Sequence, residues 1–313
     1  MTETTEPTAR ALWLAERKTG IGGSDAAAVV GISPWKTPFQ VYQEKRGEVE
    51  DEDLSGNEAV EWGLRLEDVV ADAYVDRTGR KVRRANALQR HPLFDFVVGN
   101  FDRVVVGERR GLECKTVGEF GKKDPNWGPD GSDLVPDTYF MQVQHYMAIT
   151  GFPVWDVAAL FGGRHLRVYE VPRHEATIAK MLIIEREFWT CVLQGIPPEA
   201  KTAAEALAKY PSAMRLSIEA TDEVAAMVGR YAALKADVKA DEEEIDALKA
   251  ALGEYLGDHD LLSYKGTNLL TWREAKTSSV DSARLKTERP DVYAEYLRTG
   301  QTRVMRLASR STK

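Results

Sequence analysis

The amino-acid sequence predicts an α/β domain over residues 10–198, followed by a C-terminal region, 199–313, that combines a long helix with a small α+β element. Three observations predict it. Apolar residues recur at helical spacing over 57–78, β-type runs flank a turn at 107–111, and a helix, two more β-type runs and another helix follow over 138–193. The 313 residues, 43% hydrophobic and 29% charged, suffice for one large domain or a core with an accessory domain. No apolar run approaches the roughly 18 residues of a membrane span, and residues 1–9 read as a flexible polar tail without a signal-peptide core. A soluble cytoplasmic protein is therefore expected. Two cysteines, Cys114 and Cys191, are too few for a four-thiolate metal site or a disulfide framework.

The net charge of −7 argues against bulk attraction to polyanions. Residues 1–200 carry 31 acidic and 24 basic side chains, while 201–313 carry 18 of each, so the acidity lies in the α/β part. There an acidic run (Glu48, Glu50, Asp51, Glu52, Asp53, Glu58) precedes a basic run (Arg77, Arg80, Lys81, Arg83, Arg84, Arg90), and both read equally well as solvated surface.

Element by element, a helix is expected over 9–18, ending at Gly20. The small residues 26–30 form a second, with Ser24 or Asp25 as N-cap and Gly31 as stop, and a third opens at Thr37-Pro38 and runs to Arg46. In the helix over 57–78, closed by Gly79, the apolar stripe is Val60, Leu66, Val70, Ala73 and Tyr74, and Glu67 falls on it. A carboxylate in that place needs a partner, because burying an ionised group alone is costly. Strands are expected at 94–98, 101–106 and 112–116, the last two as a hairpin. Strand alternation puts Glu113 and Lys115 on one face and Leu112 and Cys114 on the other, and the chain reversal brings Asp102 near Lys115.

The Pro- and Gly-rich segment 121–137 reads as a functional loop. On the helix over 138–150, Tyr139, Gln142, Val143, Tyr146 and Ile149 share a face, which makes Gln142 a polar group on an apolar stripe. Strands at 154–161 and 167–171 and a helix at 174–193 follow, and Pro197-Pro198 marks a domain edge. Beyond it, Val224, Tyr231, Val238, Ile245 and Leu252 recur every seven residues, with Met227, Leu234, Leu248 and Tyr255 three positions later. That seam suits packing on the chain itself or an oligomer contact. A hairpin over 261–272, short helices on either side of Pro290 and a basic strand over 302–307 end the region.

Glu67, the Asp102/Glu113/Lys115 group and Gln142 are polar breaches of an apolar pattern in elements able to meet on one sheet. Carboxylates with a backbone carbonyl and waters make an oxygen shell suited to Mg²⁺ or Mn²⁺ rather than zinc. Such an ion lowers the pKa of water and offsets charge on a phosphate, and a nearby lysine orients that water or stabilises the phosphoryl transition state. By itself, Glu-x-Lys on a strand is more often a solvent face with a local ion pair.

Taken in order, Gly63-x-x-x-Glu67 on a helix, Gly99-Asn100-Phe101-Asp102 entering a strand, Glu113-Cys114-Lys115 on the next and Tyr139-x-x-Gln142 on a helix resemble the PD-(D/E)xK nuclease core. Arg17, Ser24 within Gly22-Gly23-Ser24-Asp25, and Gly31-Ile32-Ser33-Pro34-Trp35 more narrowly resemble the YqaJ-type phage recombinases, relatives of phage lambda exonuclease, over about residues 10–195. The resemblance implies a restriction-endonuclease-like fold, a central mixed β-sheet flanked by helices. It also implies Mg²⁺-dependent 5′→3′ digestion of double-stranded DNA ends, with Mn²⁺ as a substitute, leaving 3′ overhangs for a single-strand annealing partner protein. By the same resemblance Asp102, Glu113, the main-chain carbonyl of Cys114 and Glu67 hold the metal, Lys115 is the catalytic lysine, and Gln142 positions nucleophile or substrate. Arg17 and Ser24 bind the terminal 5′-phosphate, although Ser24 serves equally as a helix cap. A homo-oligomer, as a ring-shaped trimer threaded by DNA, and expression from a phage or prophage in a bacterial cytoplasm are implied as well.

Residues 200–313 fall outside the resemblance. Their Arg298, Arg303, Arg306 and Arg310 offer phosphate contacts or merely a charged strand edge, and Lys122, Lys123 and the 77–90 run offer a basic track. Two rival readings stay open: a structure-specific endonuclease of the same fold, and a non-catalytic scaffold that binds DNA ends.

Overall fold

The computed structural model describes residues 15–49, 56–119, 121, 124–214, 216–298 and 302–308, the side chain of Asn86 excepted. The tail 1–9, residues 50–53, Lys122, Lys123 and Arg310 lie outside the described residues. The chain divides into two compact units, one closing at Lys209 and the other opening at Tyr210.

In the first unit, helix α1 (Gly23–Val29) is capped by Gly22 rather than by Ser24 or Asp25. The Gly22 N–H donates to Asp25 Oδ2 at 3.0 Å, so the acid closes the first turn from within. Gly23 admits no side chain, because a Cβ there would stand 2.2 Å from the Tyr146 ring. Helix α2 (Pro38–Arg46) opens as expected, with proline at the first turn and Thr37 Oγ1 accepting from the Gln40 N–H. Helix α3 (Glu58–Thr78) runs from the Asn57 cap to a left-handed Gly79. Its stripe is buried only in the second half, at Val70, Ala71 and Tyr74, whereas Val60, Trp62 and Leu64 are exposed.

The sheet follows in the order β1 (Val82–Arg90), β2 (Val98–Val105), β3 (Arg110–Val117), β4 (Val154–Phe161) and β5 (His165–Pro172). Neighbours are antiparallel except β3 and β4, so the sheet is mixed, as expected. A parallel pair needs a crossover, and helix α4 (Asp137–Thr150) supplies it within the connection. Strand β1 corrects the sequence reading, which placed a strand at 94–98 and a solvated basic run over 77–90. Its few apolar residues give no period-two signal, because an edge strand can be polar on both faces. Helices α5 (Glu175–Gln194) and α6 (Ala203–Lys209) close the unit. Glu205 of α6 accepts from Thr37 Oγ1 at 2.6 Å, which ties that helix to α2 within the first unit.

Each face of the sheet has its own core. Helix α4 covers Phe101, Val104, Trp155 and Val157 with Val143, Tyr146 and Met147, while α3 covers Val105, Leu112 and Ala158 with Val70 and Tyr74. The outer edge of β5 is paired rather than bare. Gly131 N–H donates to Val168 O and Glu170 N–H to Ser132 O, so the 121–137 loop shields it.

One fully buried ion pair fastens α4, α5 and β2 together. His145 Nδ1 lies 2.8 Å from Glu185 Oε1 and Nε2 lies 2.9 Å from the Val98 carbonyl, just ahead of Asp102. Both ring nitrogens face acceptors, so the ring is held as the imidazolium against a carboxylate. Burial disfavours that charge, but Glu185 outweighs it and the His145 pKa lies above its ordinary value. The pair therefore stabilises the fold fully below the ordinary histidine range, and the contribution is lost as pH rises through the raised folded value. His145→Gln should cost about 3 kcal/mol in denaturant titrations at neutral pH, with the gap to wild type narrowing at alkaline pH. A gap that does not change with pH would contradict the ionised pair.

In the second unit, helix α7 (Asp222–Leu256) is one continuous helix whose heptad seam, from Val224 to Tyr255, stays exposed. Strands β6 (Leu261–Tyr264) and β7 (Thr267–Thr271) form the expected hairpin, turning at Lys265 and Gly266, both at positive φ. Helices α8 (Ser282–Glu288) and α9 (Pro290–Tyr296) flank Pro290. The basic strand expected at 302–307 is not formed: those residues have no ladder partner among the described strands.

Candidate active site

Strands β2 and β3 pair only at Arg103 with Leu112 and at Val104 with Gly111. Beyond those pairs they part, and Asp102 Oδ2 accepts the Cys114 N–H at 2.8 Å in place of a neighbouring backbone carbonyl. Alternation along β3 sends Leu112 and Cys114 to the α3 core and Glu113 and Lys115 to the α4 side, as the sequence predicts. Glu113 is 3% exposed. Its Oε1 accepts from Lys115 Nζ at 2.6 Å and from Gln142 Nε2 at 2.8 Å. Its Oε2 is buried with no partner among the described residues. The same Gln142 amide nitrogen donates to the Tyr146 hydroxyl at 2.9 Å, and Lys115 Nζ sits 4.8 Å over the Tyr139 ring.

The electrostatics follow from this crowding. Burial first, and then the Glu113 carboxylate, push the Asp102 carboxyl well above the usual carboxylate range, against the pull of Lys115. Burial alone would lower Lys115, but Glu113 and Asp102 raise it, so it stays cationic. A half-buried and a buried carboxylate, with one oxygen unpartnered among the described residues, make a donor set for a hard cation, and Asp102 and Glu113 fit Mg²⁺ or Mn²⁺.

Glu67 takes a different place from its partners. Its Oε1 accepts from Arg103 Nη1 at 2.5 Å, and Arg103 also donates to the Asp102 carbonyl at 2.6 Å and pairs with Asp68. Glu67 is near enough to act on Asp102, yet the described residues assemble no group of three metal-binding side chains. Arg103, buried on the α3 face, is the partner that a carboxylate on an apolar stripe called for, and sequence reading missed it. The signal was there: it is the one basic residue within the expected strand 101–106.

Arg17 and Ser24 are brought together, Nη2 donating to Oγ at 3.0 Å, with Asp25 Oδ1 3.7 Å from the same nitrogen. Lys45, also missed, is nearly buried and donates to Asp25 Oδ2 at 2.7 Å and to the Arg17 carbonyl at 2.9 Å. Burial would raise the Asp25 carboxyl, but Lys45 and Arg17 hold it below the usual range. This cluster adjoins the carboxylate site, because α1 packs on Tyr146 and the Arg17 charge is felt at that hydroxyl. Much of the proposed basic track is already paired: Arg77 with Asp130, Arg80 with Asp156 and Arg84 with Asp68. A cavity of about 740 Å³ lined by Arg77, Arg80, Asp130, Asp156 and Glu170 lies on the α3 face, on the other side of the sheet from Glu113.

A mixed sheet with acid, acid and lysine where two strands part, backed by a glutamine helix, is the arrangement that the sequence resemblance to the PD-(D/E)xK nucleases implies. The chain belongs to the YqaJ-like viral recombinase domain family, whose model matches residues 12–153. It is 34% identical over 289 residues to the uncharacterized protein YqaJ of Bacillus subtilis strain 168, covering 90% of this chain and 88% of that one. Among solved structures, an alkaline exonuclease from Laribacter hongkongensis is 19% identical with a TM-score of 0.49, covering 59% of this chain and 93% of its own. A phage-related exonuclease from Haemophilus somnus 129PT is 10% identical with a TM-score of 0.42, covering 56% and 96%.

A raised carboxyl pKa favours the fold at low pH and is lost as pH rises through it, so metal-free protein should lose stability there and a bound cation should restore it. Asp102→Asn should raise the melting temperature of metal-free protein by about 2–4 °C and abolish the further rise on adding Mg²⁺ or Mn²⁺. Differential scanning fluorimetry checks this, and a metal-dependent rise that survives the substitution would remove Asp102 from the ligand set.

Proposed function

We propose that the protein is a Mg²⁺-dependent 5′→3′ exonuclease acting on double-stranded DNA ends, which leaves 3′ overhangs for a single-strand annealing partner in phage-type recombination. The observation that carries this reading is the meeting of Asp102, Glu113, Lys115 and Gln142 where β2 and β3 part. Membership of a viral recombinase family supports the recombination context.

Asp102, Glu113 and the Cys114 carbonyl would hold the ion, with Glu67 beside Arg103 as an outer carboxylate. Bound there, Mg²⁺ supplies charge compensation for the phosphate and a lowered pKa for water. The chain's own residues do the rest. Lys115, kept cationic by its two acids, donates to the attacking water or to a phosphoryl oxygen. Gln142, divided between Glu113 and Tyr146, fixes the Glu113 carboxylate in one orientation. Arg17, with Ser24 beside it, presents a guanidinium fork to a terminal 5′-phosphate, which sets polarity by holding the end of one strand. With a net charge of −7, local charge rather than bulk attraction would be the source of DNA affinity.

The test is digestion of linear duplex carrying a 5′-phosphate on one strand, with Mg²⁺ or chelator, beside a supercoiled circle. The phosphorylated strand should be lost selectively and only with metal. Lys115→Ala and Glu113→Gln should each lower the rate on the order of 10³-fold with the fold intact by circular dichroism. Arg17→Ala should erase the preference for phosphorylated ends, a factor of roughly ten. Nicking of the circle would replace this reading with an endonuclease, and full activity in Lys115→Ala would sink the site assignment.

A further inference from the structure

The loop between α1 and α2 ends in an aromatic side chain that the fold does not use. Ser33 Oγ accepts from the Trp35 and Lys36 N–H groups at 3.2 and 3.3 Å, which pins the turn, yet Trp35 is left 68% exposed. A pinned turn that holds an indole in water costs apolar exposure with no gain to the core. Its one described ring neighbour is Tyr139, 6.5 Å away between centroids. Tyr139 in turn lies beneath Lys115 Nζ at 4.8 Å and against buried Trp127 at 5.4 Å. The aromatic row therefore runs from the buried Trp127, under Lys115, to a solvent-facing indole. Trp35 and Lys115 share Tyr139 as a neighbour, so a strand whose phosphate lay at Lys115 would bring adjoining bases within reach of the indole. An exposed aromatic beside a basic phosphate contact is the arrangement by which proteins hold unpaired nucleotides, since every base offers a π-face.

We propose that Trp35 is a stacking platform for a DNA base next to the scissile phosphate, holding that base out of the duplex while its phosphate sits at Lys115. This rests on the nuclease reading above and adds a substrate contact to it. Stacking is worth enough per base to matter for kcat/KM and is sequence-tolerant, so the platform would serve an enzyme that must digest any sequence. Because the contact is with a π-face, phenylalanine should serve in its place and leucine, similar in apolarity, should not.

Two measurements on the full chain test it. In chelator, where nothing is cut, 2-aminopurine is placed in turn at each of the first nucleotides of a 5′-phosphorylated duplex end. One position should be quenched on binding wild type or Trp35→Phe and unquenched with Trp35→Leu. In Mg²⁺, Trp35→Leu should lose roughly tenfold in kcat/KM while Trp35→Phe stays near wild type. An abasic nucleotide at the quenched position should cost wild type a similar factor and cost Trp35→Leu little more. Equal quenching by Trp35→Leu, or an abasic penalty of the same size in both proteins, would overturn the proposal. If wild type digests no DNA but the quench still depends on Trp35, the platform stands and the nuclease reading falls. If wild type neither cuts nor binds, both fall.

Discussion

The structure depends on one enforced proximity. A half-buried Asp102 and a buried Glu113 stand together where β2 and β3 separate, with Lys115 as the near counter-charge. One lysine cannot offset both acids once Asp102 ionises, which is why its carboxyl stays protonated above the usual range, and Glu113 Oε2 has no partner among the described residues. A protein selected for stability alone would have replaced such a pair with apolar residues, since buried ions seldom recover their desolvation cost. Retaining it at a point where the ladder is already broken makes sense if a cation completes the group.

The surrounding elements hold that proximity from both faces of the sheet. On one side α4 applies Gln142 and Tyr146 to Glu113, and the His145 to Glu185 pair fixes the approach of β2 through Val98. On the other side Arg103 grips the Asp102 carbonyl together with Glu67 and Asp68 of α3, so the helix and the strand break move as one. Arg17 and Ser24 reach the same centre through the packing of Gly23 on Tyr146. The site is thus built from rigid elements, with only Trp35 presented by a loop.

What was legible in the sequence was what obeys a local period. Alternation placed Glu113 and Lys115 together, and helical spacing exposed Glu67 and Gln142 as polar groups on apolar stripes. The hairpin, the helix start at Thr37-Pro38 and the stop at Gly79 follow from the same short-range rules, whereas the mixed sheet was implied by the family resemblance. What was not legible comes from distance along the chain. Lys45 meets Asp25 across two helices and Arg103 meets Glu67 between strand and helix, and no spacing rule reports such pairs. Strand β1 escaped because its side chains are mostly polar, and the 302–307 run looked like a strand from alternation that no partner strand takes up. The Gly22 cap was hidden because Ser24 and Asp25 are the better capping types, yet one is turned to Arg17 and the other back to the Gly22 N–H.

The proposed nuclease chemistry requires Asp102 and Glu113 to share a divalent cation. The most direct measurement is a crystal of the protein grown with Mn²⁺ and read by anomalous scattering. The account predicts one strong peak at about 2.1–2.2 Å from carboxylate oxygens of both Asp102 and Glu113 and from the Cys114 carbonyl, with Lys115 displaced from Glu113 Oε1 or sharing it. A map with no peak between those carboxylates, at Mn²⁺ concentrations that support DNA cleavage, would contradict it.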